Sequence, residues 1–270
     1  MKKLFLSMSL FFIGVFVHAQ DSENVEEVVV IGTKASLKSA IDKQRSSQKI
    51  ISVIDSDALG DFPDTTAAEA VRRVSGISVE NDQGEGRYVS IRGLSSDLNT
   101  IAINGATVTA PEGNRSVMLD GVPTELLDNI VISKSLTPDQ DSDSIGGRIE
   151  FNTKNPSSLK KTLFKLKFDN SYNKNSGNVD SPKMALTYGG KISDVSAHVI
   201  GLTFASKDIV TYNNETGYGW DTNSSGLKEM NDDWEMRYYD LTRERYGLTY
   251  DIDFIVNDET TLYIKAFWNE

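Results

Sequence analysis

The sequence of 270 residues contains no cysteine and two histidines, and these shortages exclude whole classes of site. Without cysteine, the chain can form neither a disulfide nor a thiolate metal site. His18 lies in an apolar leader described below, so we expect His198 to be the single histidine of the mature chain. A histidine-based catalytic triad and a zinc site with several histidines are therefore excluded within this chain.

Positive charge is also scarce, since 28 lysines and arginines stand against 39 aspartates and glutamates and give a net charge of −11. A chain this acidic repels the phosphates of nucleic acid, so we expect no nucleic-acid partner. The segment GEGRYV (residues 84–89) lacks the third glycine of a dinucleotide-binding fingerprint, and no phosphate-binding loop occurs. We therefore expect a protein that is not an enzyme, with no catalytic residues, no metal and no cofactor.

One acidic stretch, DQDSDSIGGRIE, has the spacing of a calcium-binding loop. The carboxylates at ligand positions are Asp139, Asp141, Asp143 and Glu150. However, Ser144 stands where such a loop needs glycine, and helical patterns flank neither side. The sequence favours an acidic surface loop over a calcium site.

The first 20 residues have the organisation of a secretory signal peptide. Lys2 and Lys3 form a positive start, residues 4–17 form an apolar run, and Ala19 precedes a cleavage site at Gln20. The apolar run is shorter than the roughly 20 residues that a spanning helix needs. We therefore expect residues 1–20 to be removed on export. An exported chain without disulfides depends on packing and hydrogen bonds for its stability.

A short β-branched segment, EEVVVIG, follows close behind the leader. It consists of Glu26, Glu27, Val28, Val29, Val30, Ile31 and Gly32. Its composition favours a strand, but the surrounding residues 21–48 read as a polar tether with no upstream partner strand. An unpaired strand on a tether is suited to addition to the sheet of another protein. The alternative is an edge strand that docks on the chain's own fold.

Residues 49–155 combine short strand and helix patterns and predict a compact α+β domain. Strand patterns occur at residues 51–55, 76–80, 87–93, 100–105, 130–135 and 146–154. A helix is predicted over residues 62–76, with Asp64 or Thr65 as its cap and Gly76 at its end. Its expected buried stripe consists of Ala67, Ala70, Val71 and Val74. A second, short helix is expected directly after Pro123.

Residues 156–270 change to long strands in which apolar and polar residues alternate. The alternating segments lie around residues 164–168, 184–188, 245–254 and 262–268, and a less regular β-rich segment covers residues 194–208. The links are medium, short, long and short in order, the long one spanning residues 207–243. Alternating short and longer turns are typical of an outer-membrane barrel, although a periplasmic β-sandwich also alternates. We expect the start of a transmembrane antiparallel barrel.

Five motifs in order make the sequence recognisable. They are EEVVVIG (residues 26–32), FPDTTAAEAVRRVSGISVENDQGEGRYVSIRGL (62–94), LLDNIVISKS (126–135) and SIGGRIEFNTK (144–154), with INGATV (103–108) between the second and third. Together they resemble the N-terminal part of a TonB-dependent outer-membrane receptor. The resemblance implies a signal peptide (1–20), a TonB box and tether (21–48), a plug domain (49–155) and the first strands of a barrel of about 22 strands (156–270).

The resemblance also implies a function. Receptors of this family import a scarce ligand by a plug rearrangement that TonB drives with the inner-membrane proton gradient. The partners implied are TonB binding at the box, the lipid of the outer membrane, and a small ligand such as an oligosaccharide or an iron chelate. The expected location is the outer membrane with the plug facing the periplasm. The alternative is a soluble periplasmic binding module with a plug-like domain.

Two further expectations concern single residues. By the resemblance, Arg87 and Arg92 pair with carboxylates of the barrel wall and hold the plug in the lumen; the alternative is a pair of ordinary surface arginines. The aromatic residues of the expected long loop are Tyr212, Tyr218, Trp220, Trp234, Tyr238 and Tyr239. These fit either stacking on a sugar ring or an aromatic girdle at the membrane surface. Since five strands do not close a barrel, we expect this chain to be either the front part of a longer receptor or a truncated, non-functional product.

Overall fold

The computed structural model describes residues 37–55, 66–110, 114–138, 140, 143–179, 181–216, 220–230, 234–257 and 259–270. The signal peptide and the segment Glu26 to Gly32 lie outside these ranges. So do Asp64 and Thr65, the two residues expected to cap the first predicted helix.

The N-terminal domain begins with a helix, α1, over residues 37–46, followed by β1 (Ile51–Asp55). A second helix, α2, covers Ala67–Val71 and is shorter than the helix predicted over residues 62–76. Its cap is Thr66, whose side chain accepts a hydrogen bond from the backbone amide of Glu69. Three of the four residues predicted to form the buried stripe, Ala67, Ala70 and Val71, are fully buried in α2, because they face the core of the domain.

The remaining strands of this domain are β2 (Ile77–Asp82), β3 (Glu85–Ile91), β4 (Asn99–Ile103), β5 (Ala106–Thr107), β6 (Leu127–Ser133) and β7 (Gly147–Thr153). β2 and β3 form a hairpin, while the others join β1 in a sheet of order β1-β6-β7-β4-β5 in which β4 and β7 run parallel. The helix expected after Pro123 is a single 3₁₀ turn, Thr124–Leu126, because the chain enters β6 at once. Further 3₁₀ turns cover Ser96–Leu98 and Pro156–Ser158.

The core of the N-terminal domain lies between its sheet, α2 and the hairpin. Its largest fully buried side chains include Ile91, Leu119, Ile130, Ile132, Ile149 and Phe151. Alternate residues of β6 and β7 point into this core, as period-two apolar patterns require. The predicted α+β domain is therefore present.

A second, antiparallel sheet follows, here called the wall sheet. Its strands are β8 (Leu163–Asn170), β9 (Pro182–Ser193), β10 (Ser196–Thr216), β13 (Trp234–Asn257) and β14 (Thr260–Asn269), in the order β14-β13-β10-β9-β8. A small hairpin of β11 (Trp220–Thr222) and β12 (Lys228–Met230) lies between β10 and β13. Each long strand pairs with its neighbour along the chain, which is the meander of an up-and-down barrel.

The predicted loop over residues 207–243 is wrong, because most of it is strand. β10 and β13 stay in register from Ser196↔Phe254 to Thr216↔Trp234, whereas β9 accompanies β10 only as far as Ala205↔Lys183. Residues 206–216 and 234–244 therefore continue as a two-stranded extension, here called the ribbon. Polar residues on both of its faces hid its strand periodicity.

The wall sheet has an inner face, which packs on the N-terminal domain, and an outer face. The outer face exposes apolar side chains, among them Phe164, Leu166, Phe168, Met184, Tyr188, Leu202, Tyr246, Leu248, Tyr250, Phe254, Leu262, Ile264 and Trp268. On the inner face the buried residues include Lys183, Thr187, Thr249, Asp251 and Asp253. A sheet in water would reverse this arrangement, while a membrane barrel has lipid outside and polar groups inside. The predicted alternation is confirmed.

Among the described residues, no helix is both long and apolar enough to cross a membrane.

Candidate functional site

The tip of the β2–β3 hairpin is the part of the N-terminal domain that reaches the base of the ribbon. Gln83 and Gly84 form a two-residue turn in which both φ angles are positive, at 50° and 83°. Such turns suit the twist of a hairpin and favour glycine at the second position. A Cβ at Gly84 would lie 3.2 Å from methyl carbons of both Ile209 and Thr211 on β10. The tip therefore docks closely against the wall sheet.

This docking buries a carboxylate among three cations of the wall. The Glu85 side chain is 0% exposed. Its oxygens lie 2.7 Å from Arg243 Nη1, 2.5 Å from Arg245 Nη2 and 2.9 Å from Lys207 Nζ. Arg243 Nη2 also donates to Gln83 Oε1 at 2.6 Å. We call Glu85 and its three wall cations the Glu85 cluster.

The surroundings of Glu85 decide its charge. Burial alone raises the pKa of a carboxyl group, because it removes water from the charged form. Here the hydrogen bond from Arg245 and the positive charges of Lys207 and Arg245 outweigh burial and lower the pKa of Glu85 from 4.5 to about 2. The group is thus a carboxylate at any physiological pH.

A second carboxylate of the N-terminal domain meets the wall at the 3₁₀ turn after Pro123. Glu125 Oε1 lies 2.6 Å from Lys183 Nζ on β9 and 3.6 Å from Lys167 Nζ on β8. A cavity of about 220 Å³ adjoins this contact, and Lys154 and Lys165 also line it. Cations therefore surround this boundary between the two sheets.

Two glycines of the wall sheet leave room for the side chain of Leu126, the residue that follows Glu125. A Cβ at Gly201 would lie 2.8 Å from Leu126 Cδ2, and one at Gly247 would lie 2.9 Å from Leu126 Cδ1. Real Cβ atoms do not approach so closely, so the glycines leave the space that Leu126 fills. The same Cβ at Gly247 would also lie 3.0 Å from Pro123 Cγ. This contact fixes the position of the 3₁₀ turn against β10 and β13.

At the other end of β13, acidic residues of the wall meet hydroxyl groups. Asp253 Oδ2 accepts hydrogen bonds from Ser157 N at 2.9 Å and from Ser157 Oγ at 2.5 Å. Asp251, two residues away on the same face, is also buried. Along β13 the inner face is therefore banded, with arginines near the ribbon, small residues in the middle and carboxylates at the far end. The cationic band consists of Lys167, Lys183, Lys207, Arg243 and Arg245.

The two arginines singled out by the resemblance bond within the N-terminal domain. Arg87 is ion-paired with Asp82 and lies 3.8 Å from Asp120 Oδ2. Arg92 follows the end of β3 with a φ of 55° and donates to the carbonyl of Gly146 at 3.2 Å. Within the described residues, neither contacts a wall carboxylate. Their role in holding the plug stays a prediction.

The structure describes part of the acidic stretch and most of the aromatic residues that the sequence singles out. Of the acidic stretch, Asp143 accepts from Arg115 at 3.0 Å and Glu150 accepts from Arg148 at 2.9 Å, while Asp139 and Asp141 lie outside the described residues. Tyr212 and Tyr238 form a ring pair on the outer side of the ribbon, with centroids 5.0 Å apart.

The remaining aromatics of that set divide between the two sides of the ribbon. Tyr239 lies on the inner side and donates to Glu215 Oε1 at 3.1 Å. Trp234 is exposed at the start of β13, Trp220 opens β11, and Tyr218 lies outside the described residues. The choice between sugar stacking and a membrane girdle stays open.

Sequence reasoning missed the Glu85 cluster. Glu85 lies in a glycine-rich segment that looks like an exposed turn, and Arg243 and Arg245 fell at the edge of the predicted loop. One signal was available. Arg243 and Arg245 share the period-two phase of Asp251 and Asp253, so one face of β13 carries charged residues on both sides of Gly247 and Thr249.

Comparison with known proteins identifies the class of fold. Residues 43–148 match the family model described as "TonB-dependent Receptor Plug Domain". The N-terminal domain is therefore a TonB-dependent receptor plug domain, and the wall sheet that follows it resembles the start of the barrel of such receptors. The resemblance predicted from the sequence motifs is confirmed. Since plug domains serve receptors and transporters, the match also supports the expectation that the chain is not an enzyme.

Several solved structures share this fold. A mutant of the ferric enterobactin receptor from Pseudomonas aeruginosa is 15% identical, with a TM-score of 0.60 over 85% of this chain and 34% of that chain. The siderophore receptor PirA from Acinetobacter baumannii is 17% identical, with a TM-score of 0.60 over 85% and 32%. The pyoverdine outer membrane receptor FpvA from P. aeruginosa PAO1 is 15% identical, with a TM-score of 0.56 over 84% and 28%.

This chain spans about a third of the length of these receptors. At such identities the likeness shows the fold alone. A comparison with curated proteins gave no match.

Proposed function

We propose that this chain is the front part of a TonB-dependent transporter that imports a scarce ligand across the outer membrane. The observation that carries the proposal is the plug domain seated on the polar inner face of strands whose outer face is apolar. Such strands suit lipid on one side and a lumen on the other. The exposed Phe164 and Phe168 argue against the alternative of a soluble periplasmic module, since they would face water.

The proposed orientation places the plug towards the periplasm and the ribbon outside the cell. Long extracellular loops and short periplasmic turns are usual in outer-membrane barrels. In this chain the β9–β10 and β13–β14 turns are short and lie at one end of the wall sheet, whereas the ribbon extends from the other end. The Glu85 cluster then lies at the outer side of the plug.

We propose that TonB pairs with the segment Glu26 to Gly32 and pulls on it. An added strand binds through main-chain hydrogen bonds, so it needs an unpaired β-forming segment on a tether, as the sequence provides. The force reaches the plug domain through residues 33–36, which join the segment to α1. The proton gradient of the inner membrane supplies the energy, and the plug rearranges to open a path along the wall.

The contacts that resist this rearrangement are those between the plug and the wall. Breaking the Glu85 cluster separates a buried carboxylate from three cations, which costs far more than breaking a surface ion pair. The plug therefore stays seated until force arrives. Arg87 and Arg92 are proposed to add wall contacts of the same kind.

The ligand is proposed to be an iron chelate or an oligosaccharide. Siderophore receptors among the solved structures favour the iron chelate, although their likeness to this chain is one of fold. A strain lacking the gene, grown on single sugars and on chelated iron as the limiting nutrient, will show which uptake is lost.

Deletion of residues 26–32 from the complete receptor tests the energy-coupling step. We expect the deletion to abolish uptake of the ligand found in that screen while binding of the ligand to whole cells persists. The matched control is deletion of residues 33–36, which also shortens the link to the plug but keeps both the box and α1. Unchanged uptake by the box deletion would refute the proposal.

A further inference from the structure

The contact between plug and wall gathers positive charge on the wall and negative charge on the plug. Five cations form the band, while the plug inserts two buried carboxylates, Glu85 and Glu125. The nearest additional acid groups are Asp120 and Glu69 of the plug, 3.6 Å from Arg243 and 3.9 Å from Lys207, and Asp169 of the wall, 3.1 Å from Lys167. The wall is thus built to hold several anionic groups in one place.

Movement of the plug would leave these cations facing the lumen. Lys207, Arg243 and Arg245 all belong to the wall, so withdrawal of the hairpin tip removes their shared carboxylate and leaves all three behind. Unpaired charges in a restricted space are costly, and an incoming anion would compensate them. Arginine binds carboxylates in a bidentate fashion, so two arginines and a lysine form a strong site for such groups.

The cationic band runs in one direction across the inner face of the wall sheet. The register places Lys207 beside Arg243 and Ala205 beside Arg245, while Lys183 faces Ala205 from β9 and Asp169 from β8. Lys167 follows one step further along β8 on the same face. The cations therefore descend from the outer side of the plug towards the cavity beside Glu125, and the widest step, from Arg245 to Lys183, crosses two strand spacings of about 5 Å each.

We propose that the transported ligand carries two or more acidic groups, and that these groups replace first Glu85 and then Glu125 on the wall cations as the plug moves. In the resting plug, Glu85 occupies the position of a ligand carboxylate. This inference rests on the proposed transport function and gives it a chemical class of ligand. A ferric chelate with free carboxylates and an acidic oligosaccharide share that chemistry.

The test uses the purified full-length receptor and the variant Glu85→Gln, which keeps the shape of the side chain but frees the three cations. Citrate is the anionic probe, and its neutral triamide is the matched control compound. We expect Glu85→Gln to bind citrate at least tenfold more tightly than the wild type, and to bind the triamide no better. Glu80→Gln, an exposed glutamate of the same hairpin, should behave as the wild type.

The triple variant Glu85→Gln/Arg243→Gln/Arg245→Gln should lose the gained binding of citrate. Parallel titrations with ferric citrate and with trigalacturonate separate the two sources of acidic groups, since the preferred one should compete with citrate. If Glu85→Gln binds citrate no better than the wild type, the proposal is overturned.

Glu125→Gln provides a second test at Lys183 and Lys167, which remains decisive if Glu85→Gln does not fold. The same gain for citrate is expected there, and its absence would also overturn the proposal. These titrations contain no TonB. A negative result in these titrations is compatible with uptake that depends on the TonB box. Such a result would overturn the ligand proposal without overturning the proposed transport function.

Discussion

Glu85 shows how a single residue gains a role from its position. In the sequence it is one of 39 acidic residues, with nothing to mark it. The turn at Gln83 and Gly84 places it against the wall, where Lys207 and the two arginines hold it ionised. Sequence reasoning found the hairpin strands but not this cluster, because ion pairs between residues about 160 positions apart leave no local pattern.

The first prediction concerns pH. Folding lowers the pKa of Glu85 from 4.5 to about 2. The contribution of the ionised group to the free energy of unfolding is therefore complete above about pH 4.5 and is lost as the pH falls towards 2. We expect the wild type to exceed Glu85→Gln in plug stability by about 3 kcal/mol at neutral pH. Calorimetric unfolding of both proteins across this range measures the difference. A difference that persists unchanged at about pH 2.5 would contradict the assignment.

The second prediction concerns the glycines around Leu126. Gly247→Ala places a methyl group 2.9 Å from Leu126 and 2.5 Å from Thr203 Oγ1, so we expect a loss of about 1–3 kcal/mol in plug stability. Adding Leu126→Ala should make the double variant less damaged than the sum of the two single ones. The control is Gly190→Ala on β9, where the nearest atom is 3.5 Å away. Additive effects would argue against this contact.

At the scale of elements, strand identity was predictable and strand length was not. The period-two alternation of β8, β9, β13 and β14 identified them, because one face is apolar along the full segment. The ribbon lacks such a face and was predicted as loop. The helix predicted over residues 62–76 became the short α2, since tertiary packing rather than local propensity set its limits.

The third prediction concerns the edge of the ribbon. Beyond Ala205 the strand β10 has lost β9, and two side-chain amides take its place: Asn173 donates to the carbonyl of Asp208 at 2.8 Å and Asn175 to that of Val210 at 2.7 Å. Exposed edges are sites of unwanted strand pairing, so these bonds protect the ribbon. Each is worth about 1 kcal/mol.

We therefore expect Asn173→Ala/Asn175→Ala to increase hydrogen exchange at the amide of Asp208, which donates to Ser181 Oγ, by about tenfold. Mass spectrometry of peptides covering residues 206–212 measures the change. Asn214→Ala, an exposed position on the same strand, is the control. Equal exchange in both variants would show that the amides do not hold the edge.

At the scale of the whole molecule, the chain combines three parts: the segment proposed to bind TonB, the plug and the wall. The sequence predicted the order of these parts through motifs that lie close together in the chain. It could not predict how plug and wall meet, because that contact depends on side chains brought together by the fold.

The fourth prediction is at this scale. Val29→Pro removes a main-chain hydrogen-bond donor from the TonB box without altering the plug core. We expect uptake by the complete receptor to be abolished and ligand binding to be kept, as measured by accumulation and by equilibrium binding on whole cells. Ser22→Pro, upstream of the box, should take up ligand normally. Normal uptake by Val29→Pro would refute the box assignment.

The ribbon carries Met236 on the same side of the wall sheet as Met184 of β9, but further from the plug. Met184 pairs with Phe204 within the apolar band, whereas Met236 lies ten residues along β13 from Tyr246, about 33 Å further out. They are 49% and 82% exposed in the chain alone. In living cells, a bulky oxidant that does not enter lipid should convert Met236 to its sulfoxide and spare Met184, so a chemical footprint reports where the bilayer ends.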